Sequence, residues 1–249
     1  ALGPVTLRHE PRALLDDEPV AVGLLQQVVA ETRPQWIVET GTTLRGSRNG
    51  STAWGTNTDA DAILLKGGTL AVGAFSTGIV GNWTWNSKMT LADGTTSNID
   101  NQVGSGTNRW LKLEGAIAGQ TLNTGTLTFK NTNSGVMNSD EYGFILTGAS
   151  TFTGGMTISA NTYVRIGGAD AGTASNIAGN NGSLAAGLAI TNNGVLRLTR
   201  NDTWTLANSI SGSGQLKIGG TLGTTTSQVV NLSGTSNYSG ATTVINGRL

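Results

Sequence analysis

Cysteine is missing from this chain of 249 residues, and histidine occurs once, at His9. The first absence excludes a disulfide framework, a thiolate nucleophile and every cysteine-based zinc or iron-sulfur site. The second excludes multi-histidine metal centres and leaves little for a Ser-His-Asp triad. Charge is scarce and balanced: 15 Lys and Arg face 15 Asp and Glu, for a formal net charge of +0. Neither a basic nucleic-acid binder nor a polybasic membrane-surface protein has such a composition. No apolar run approaches the roughly 18 residues a membrane-spanning helix needs. The chain opens at Ala1 with no charged and apolar leader, so an export signal is expected to have been removed or to lie outside this sequence.

The few charges are unevenly placed. Residues 1–50 hold 11 of the 30, and the remainder is built from Gly, Ser, Thr and Asn broken by short apolar alternations. Those recurring Val, Ile, Leu and Phe positions argue for an ordered chain rather than a low-complexity tail. In the first segment Asp16 or Asp17 caps a predicted helix, Pro19 suits its first turn, and Val20, Leu24, Leu25, Val28 and Val29 form one apolar stripe that Pro34 ends. A short strand over Trp36, Ile37 and Val38 follows. From Ile37 to Ser47 the string IVETGTTLRGS resembles the first nucleotide-binding loop of class I methyltransferases. Neither helical periodicity nor βαβ spacing follows it, so the other walls of such a site are not expected. Residues 1–50 are read as a helix-containing cap or linker.

Beyond residue 50 the chain repeats. Leu146 to Ile158, LTGASTFTGGMTI, aligns without a gap on Leu232 to Val244, LSGTSNYSGATTV, and GTLTF at Gly125 sits beside GQLKI at Gly214. Period-two alternation marks strands at Leu196 and Leu198, Trp204 and Leu206, Leu216 and Ile218, and Val230 and Leu232, with Asn193-Gly194, Ser211-Gly212 and Gly219-Gly220 at corners between them. A long-period repeat of turn and strand together is the mark of a stacked solenoid. The fold expected for residues 51–249 is a right-handed parallel β-helix, with a column of Leu, Ile and Val inside and Thr and Asn outside.

The stretch from Gly194 to Leu249, containing ISGSGQLKIGG and LSGTSNYSGATTVINGRL, resembles the passenger-associated transport repeat of bacterial autotransporters. That family's pattern runs SGSGxLxxxG and then LSGxNxYSGxTTVxxGxL; Arg248 stands where Thr is usual. Leu146 to Gly168 is a weaker copy with Phe152 in the Tyr position, and residues 1–50 show no likeness. The resemblance implies a secreted or surface-displayed β-helix, with an outer-membrane barrel or anchor supplied by something outside this sequence.

Candidates for chemistry are sparse. Asp140 and Glu141 are adjacent and would point to opposite faces of a strand, and Asp59 and Asp61 sit in a turn-like TNTDAD stretch. Gly167-Gly168-Ala169-Asp170 matches half of a calcium-binding nonapeptide, without the second half. Sequons at Asn82, Asn201 and Asn237 are expected by chance in so Asn- and Ser-rich a chain. Trp83 and Trp85, two apart on a predicted strand, share a face: exposed they make a platform for glycans, and buried they fill the coil, as Trp110 and Trp204 would. Arg165, Arg197, Arg200, Lys217 and Asp202 are placed on one flank. The function expected is structural or adhesive, without catalysis, cofactor, metal or nucleic-acid partner, and with head-to-tail self-association into a fibre or contact with surface glycans. The alternative is a carbohydrate-active or carbohydrate-binding β-helix of the polysaccharide-lyase or tailspike kind.

Overall fold

The computed structural model describes residues 36–46, 52–54, 63–72, 83–102, 110–132, 143–168, 182–200, 202–219, 229–245 and 248–249. The predicted N-terminal helix lies outside these residues.

The described chain winds as a parallel β-solenoid. As far as Ile117–Gly119 the chain lays strands on a first, a second and a third sheet in turn, beyond it mainly on the second and third, and every pairing between strands of three or more residues is parallel. The first sheet has four strands, from Trp36–Glu39 to Ile117–Gly119, and continues as single bridges from Ile117 to Ser150 and from Ala149 to Ser183. The second has seven, from Thr43–Gly46 to Ile210–Ser211. The third has eight, from Thr52–Trp54 to Thr242–Val244. Thr203–Leu206 pairs with Val229–Leu232 in a separate two-stranded sheet. The uniformly parallel order excludes an antiparallel sandwich, whose hairpins pair neighbours in sequence.

Alternation decides which residues enter the core. Leu111, Phe144, Val164, Leu196 and Leu216 stand in register on five successive strands of the third sheet, each at most 1 % exposed. Leu70, Ile99, Phe129 and Ile158 form the matching column of the second sheet. Each such side chain contributes about 1.5–3 kcal/mol relative to exposure. Phe129 and Phe144 meet across the interior with ring centroids 5.1 Å apart. Trp36–Glu39 and Thr43–Gly46 already pair in register with Ile63–Lys66 and Thr69–Val72, so strands of the solenoid begin before residue 51.

The two copies of the sequence repeat do not occupy equivalent sheets. Met156–Ile158 belongs to the second sheet, whereas its counterpart Thr242–Val244 pairs with Gln215–Ile218 in the third. Conserved between the two placements is the close stacking of glycine on the winding below. A Cβ on Gly154 would fall within 3.0 Å of the Gly125 carbonyl oxygen, and one on Gly240 equally close to that of Gly214. The unit specifies a stacked corner followed by a strand, and the fold uses it at two different corners.

Candidate functional site

The side of the third sheet turned away from the core column gathers a row of polar side chains, although Ile145, Val195 and Arg197 on it are buried. In Tyr163–Ile166, Val164 and Ile166 enter the core, so alternation turns Tyr163 and Arg165 outward. The same rule turns Trp110 and Lys112, Val195 and Arg197, and Gln215 and Lys217 outward from their strands. Register then stacks these residues into two columns. One runs Lys112, Ile145, Arg165, Arg197, Lys217 and Thr243; beside it runs Trp110, Gly143, Tyr163, Val195 and Gln215. Neighbouring members are separated by one strand spacing, about 4.8 Å.

The first column carries four cations and no carboxylate, although like charges directly opposite one another on neighbouring strands are destabilising. Arg197 is buried, and its Nε donates to the Gly219 carbonyl at 3.0 Å. Lys217 Nζ lies 5.8 Å from the centre of the Tyr163 ring, and Lys112 pairs with Glu114 at 2.5 Å. Arg165, Lys217, Tyr163 and Trp110 are each half-buried. Arg165, Arg197 and Lys217 thus stand in one register column, whereas Arg200 and Asp202, grouped with them in the sequence, do not.

Arg200 and Asp202 do different work at the turn after Val195–Leu198. Arg200 grips Asp202 with two nitrogens, at 2.8 and 2.6 Å, donates to the Gly182 carbonyl, and lies 4.7 Å from the centre of the Trp204 ring. The Arg200 hydrogen bonds hold the Asp202 carboxyl below its ordinary pKa, against a smaller opposing effect of burial. Asp93 is lowered too, first through the Leu122 backbone N–H, which it accepts at 2.9 Å, with Thr124 adding further donors. Asp100 is fully buried and accepts from Thr132 N and Oγ1 at 3.1 and 2.9 Å and from Gln102 at 2.9 Å; Gln102 in turn accepts from Arg45.

Of the two readings of Trp83 and Trp85, a glycan platform and core packing, the structure bears on Trp85 alone and gives core packing. Both lie on one strand of the third sheet, but the Trp85 ring is packed in the core at 9 % exposure and offers no face to a sugar. The side chain of Trp83 lies outside the described residues. So do Asp59, Asp61, Asp140, Glu141, Asp170 and the sequon positions Asn82 and Asn201. Asn237 is exposed, its N–H donating to Ile210 at 2.9 Å. Among the described residues no group of three or more His, Cys, Asp or Glu is placed to hold a metal ion, and no helix is long and apolar enough to cross a membrane. The methyltransferase-like string turns at Gly41, φ 80°, into the strand Thr43–Gly46 instead of a helix, so that turn lacks the helix N-terminus on which a cofactor would rest.

Sequence reasoning missed the membership of Lys112, Trp110 and Tyr163 in this face. A signal existed: LKL at 111–113, VRI at 164–166, LRL at 196–198 and LKI at 216–218 all place one cation between two inward apolar residues. No protein-family model, curated protein or solved structure matches the chain. The functional reading therefore stands on these residues and their geometry.

Proposed function

We propose that the chain is an extracellular β-solenoid with a structural or adhesive role and no catalytic centre, of the kind its resemblance to autotransporter passenger repeats implies. The observation that carries this reading is where its polar groups are used. Thr126 and Thr96 hydroxyls meet at 2.8 Å, Asn101 donates to Asn131 at 3.4 Å, Thr153 N donates to Asn123 at 3.0 Å, and Gly94 N to Thr124 at 2.9 Å. Each bond ties one winding to the next. The five carboxylates among the described residues are engaged in the framework too: Glu39 on Lys66, Asp93 and Asp100 on the following winding, and Glu114 on Lys112 and Asp202 on Arg200 within their own strand or turn. A rod so held together needs neither cofactor nor disulfide. A glycosidase or lyase needs acid or base groups that converge on one substrate bond, and these five stand apart.

The same reading includes a right-handed coil, the hand favoured by parallel crossovers, and attachment through a separate outer-membrane barrel or anchor. It also includes head-to-tail association. Such association needs an edge of the solenoid open to a second copy. A second copy stacked on such an edge makes a heterologous, non-closing contact, which grows into a fibre. Protease shaving of intact producing cells tests the placement: peptides of the solenoid are expected in the supernatant, and their release only after lysis would overturn it. Light scattering that shows monomer at every concentration would remove the fibre, and cleavage of a polysaccharide would refute the non-catalytic assignment.

A further inference from the structure

We propose that residues 17–33 dock as an amphipathic helix on the outer side of the first sheet, lying across its four strands. They lie outside the described residues, and the face they would cover carries the inference, which is independent of the extracellular role above. Alternation identifies that face. The core takes Ile63, Leu65, Met89 and Leu91, each 0 % exposed, so Leu64 and Thr90 turn outward. Register aligns Ile37, Leu64, Thr90 and Ala118 in this outward column. Ile37 stands outside the core cluster, yet it is 6 % exposed, and Thr90 is 9 % exposed. Among the described residues Ile37 has a neighbouring strand on one side alone. The matching column of the second sheet shows what strand neighbours by themselves leave: Thr69, Asn98, Thr128 and Thr157 have strands on both sides and stay half-buried. An isoleucine on the outermost strand that is buried more deeply than these has a further element packed over it, and a helix is the usual cover of a parallel sheet. Trp36, beside Ile37 in the chain but in the inward column of Ile63, is 44 % exposed, so the cover lies on the face and not over the end of that column.

Three observations assign the cover to residues 17–33. The first is composition. Val20, Leu24, Leu25, Val28 and Val29 make one apolar stripe, with Gln26 on the opposite side. Of the other segments outside the described residues, those that lead into the first sheet and its continuing bridge, 55–62 and 169–181, hold a single large apolar residue, Ile177. The second is length. From Val20 to Val29 a helix runs about 14 Å, and four strands span three spacings, also about 14 Å. One rung further on, at Thr151, the column is exposed again. The third is position. Residue 35 leads directly into Trp36–Glu39, the first strand of this same sheet. Residues 30–35 reach about 20 Å when extended, enough for the chain to turn back at Pro34 and lay the helix over the strands. Val28 and Val29 then sit over Ile37 and Leu64, and Val20 over Ala118.

The chain has no cysteine, so an introduced pair reports contact without background. In the whole chain, Val28→Cys with Leu64→Cys and Val20→Cys with Ala118→Cys are each expected to oxidise to a disulfide within one molecule, read by mass spectrometry of proteolytic fragments. Gln26→Cys with Leu64→Cys, on the far side of the helix, and Val28→Cys with Thr128→Cys, on the second sheet, are expected to stay reduced. Hydrogen exchange over residues 20–29 is expected to be at least about tenfold slower than in an unstructured chain, and Leu24→Glu combined with Val28→Glu to abolish that protection. The far-ultraviolet spectrum of each variant reports that the solenoid is folded. Unprotected amides over 20–29 in the wild type, or disulfides that form equally in the control pairs, would overturn the proposal. Protection of 20–29 without either expected cross-link would place the segment elsewhere, and cross-links between molecules in place of within one would assign the face to a second copy; either result overturns it as well.

Discussion

Gly214→Ala would test the close stacking of windings most directly. Gly214 is buried immediately before the strand Gln215–Ile218, and its φ lies outside the left-handed range, so alanine meets no conformational objection there. The obstacle is space. A Cβ would fall within 3.0 Å of the Gly194 carbonyl oxygen and of Asn192 Oδ1 and Cγ. That same Gly194 oxygen accepts the Gln215 N–H at 2.9 Å, so displacing it strains a rung of the third sheet. Overpacking against backbone costs about 1–3 kcal/mol, and the weakened bond adds about 1 kcal/mol. Reduced unfolded-state entropy returns about 0.4–1 kcal/mol, leaving a net loss of about 1–3.5 kcal/mol. Gly187→Ala serves as the contrast: φ is 83° and nothing lies within 4 Å of the added carbon, so it reports left-handed strain alone, about 1–2 kcal/mol. Urea denaturation followed by far-ultraviolet circular dichroism measures both. Hydrogen exchange should place the Gly214→Ala loss in strands Val195–Leu198, Gln215–Ile218 and Thr242–Val244. Wild-type stability in Gly214→Ala would refute the stacked-glycine argument.

Phe152→Ala empties a fully buried site, and a loss of about 3–5 kcal/mol is expected in the same denaturation assay. Asn208 is buried and donates to the Ala185 and Leu188 carbonyls at 2.8 and 2.9 Å; Asn208→Ala should cost about 1–3 kcal/mol by leaving them without that donor. The Asp202 carboxyl titrates below 3.8 when folded, so its contribution is present above that pH and disappears as pH falls through the lowered value. Asp202→Asn should therefore lower the melting temperature at neutral pH and leave it unchanged in strong acid, where equal losses at both would contradict the Arg200 pairing.

Much of the architecture was legible in the residues. The strands read from Leu196 and Leu198, Trp204 and Leu206, Leu216 and Ile218, and Val230 and Leu232 all form, because period-two alternation records which side chains leave water. The glycine-bearing corners were equally visible. Alternation put Trp83 and Trp85 on one face without saying which face looks inward, and core packing was the favoured reading because of Trp110 and Trp204 on similar strands; Trp85 is in the core. The cation column was half visible: Arg165, Arg197 and Lys217 were placed on one flank, but Lys112, Trp110 and Tyr163 were not added to it.

What the sequence determined by itself is local: strand or turn, inward or outward alternation, and the stacked corner carried by each repeat unit. The tertiary structure decided which strand lies on which. Register partners in the third sheet are separated by 20 to 33 residues, as from Phe144 to Val164 and from Leu111 to Phe144, because the connections between strands differ in length. No fixed period in the chain therefore reveals the column in which a side chain will stand. That is why copies of one repeat could settle on different sheets, and why four cations spread over more than a hundred residues meet on a single face.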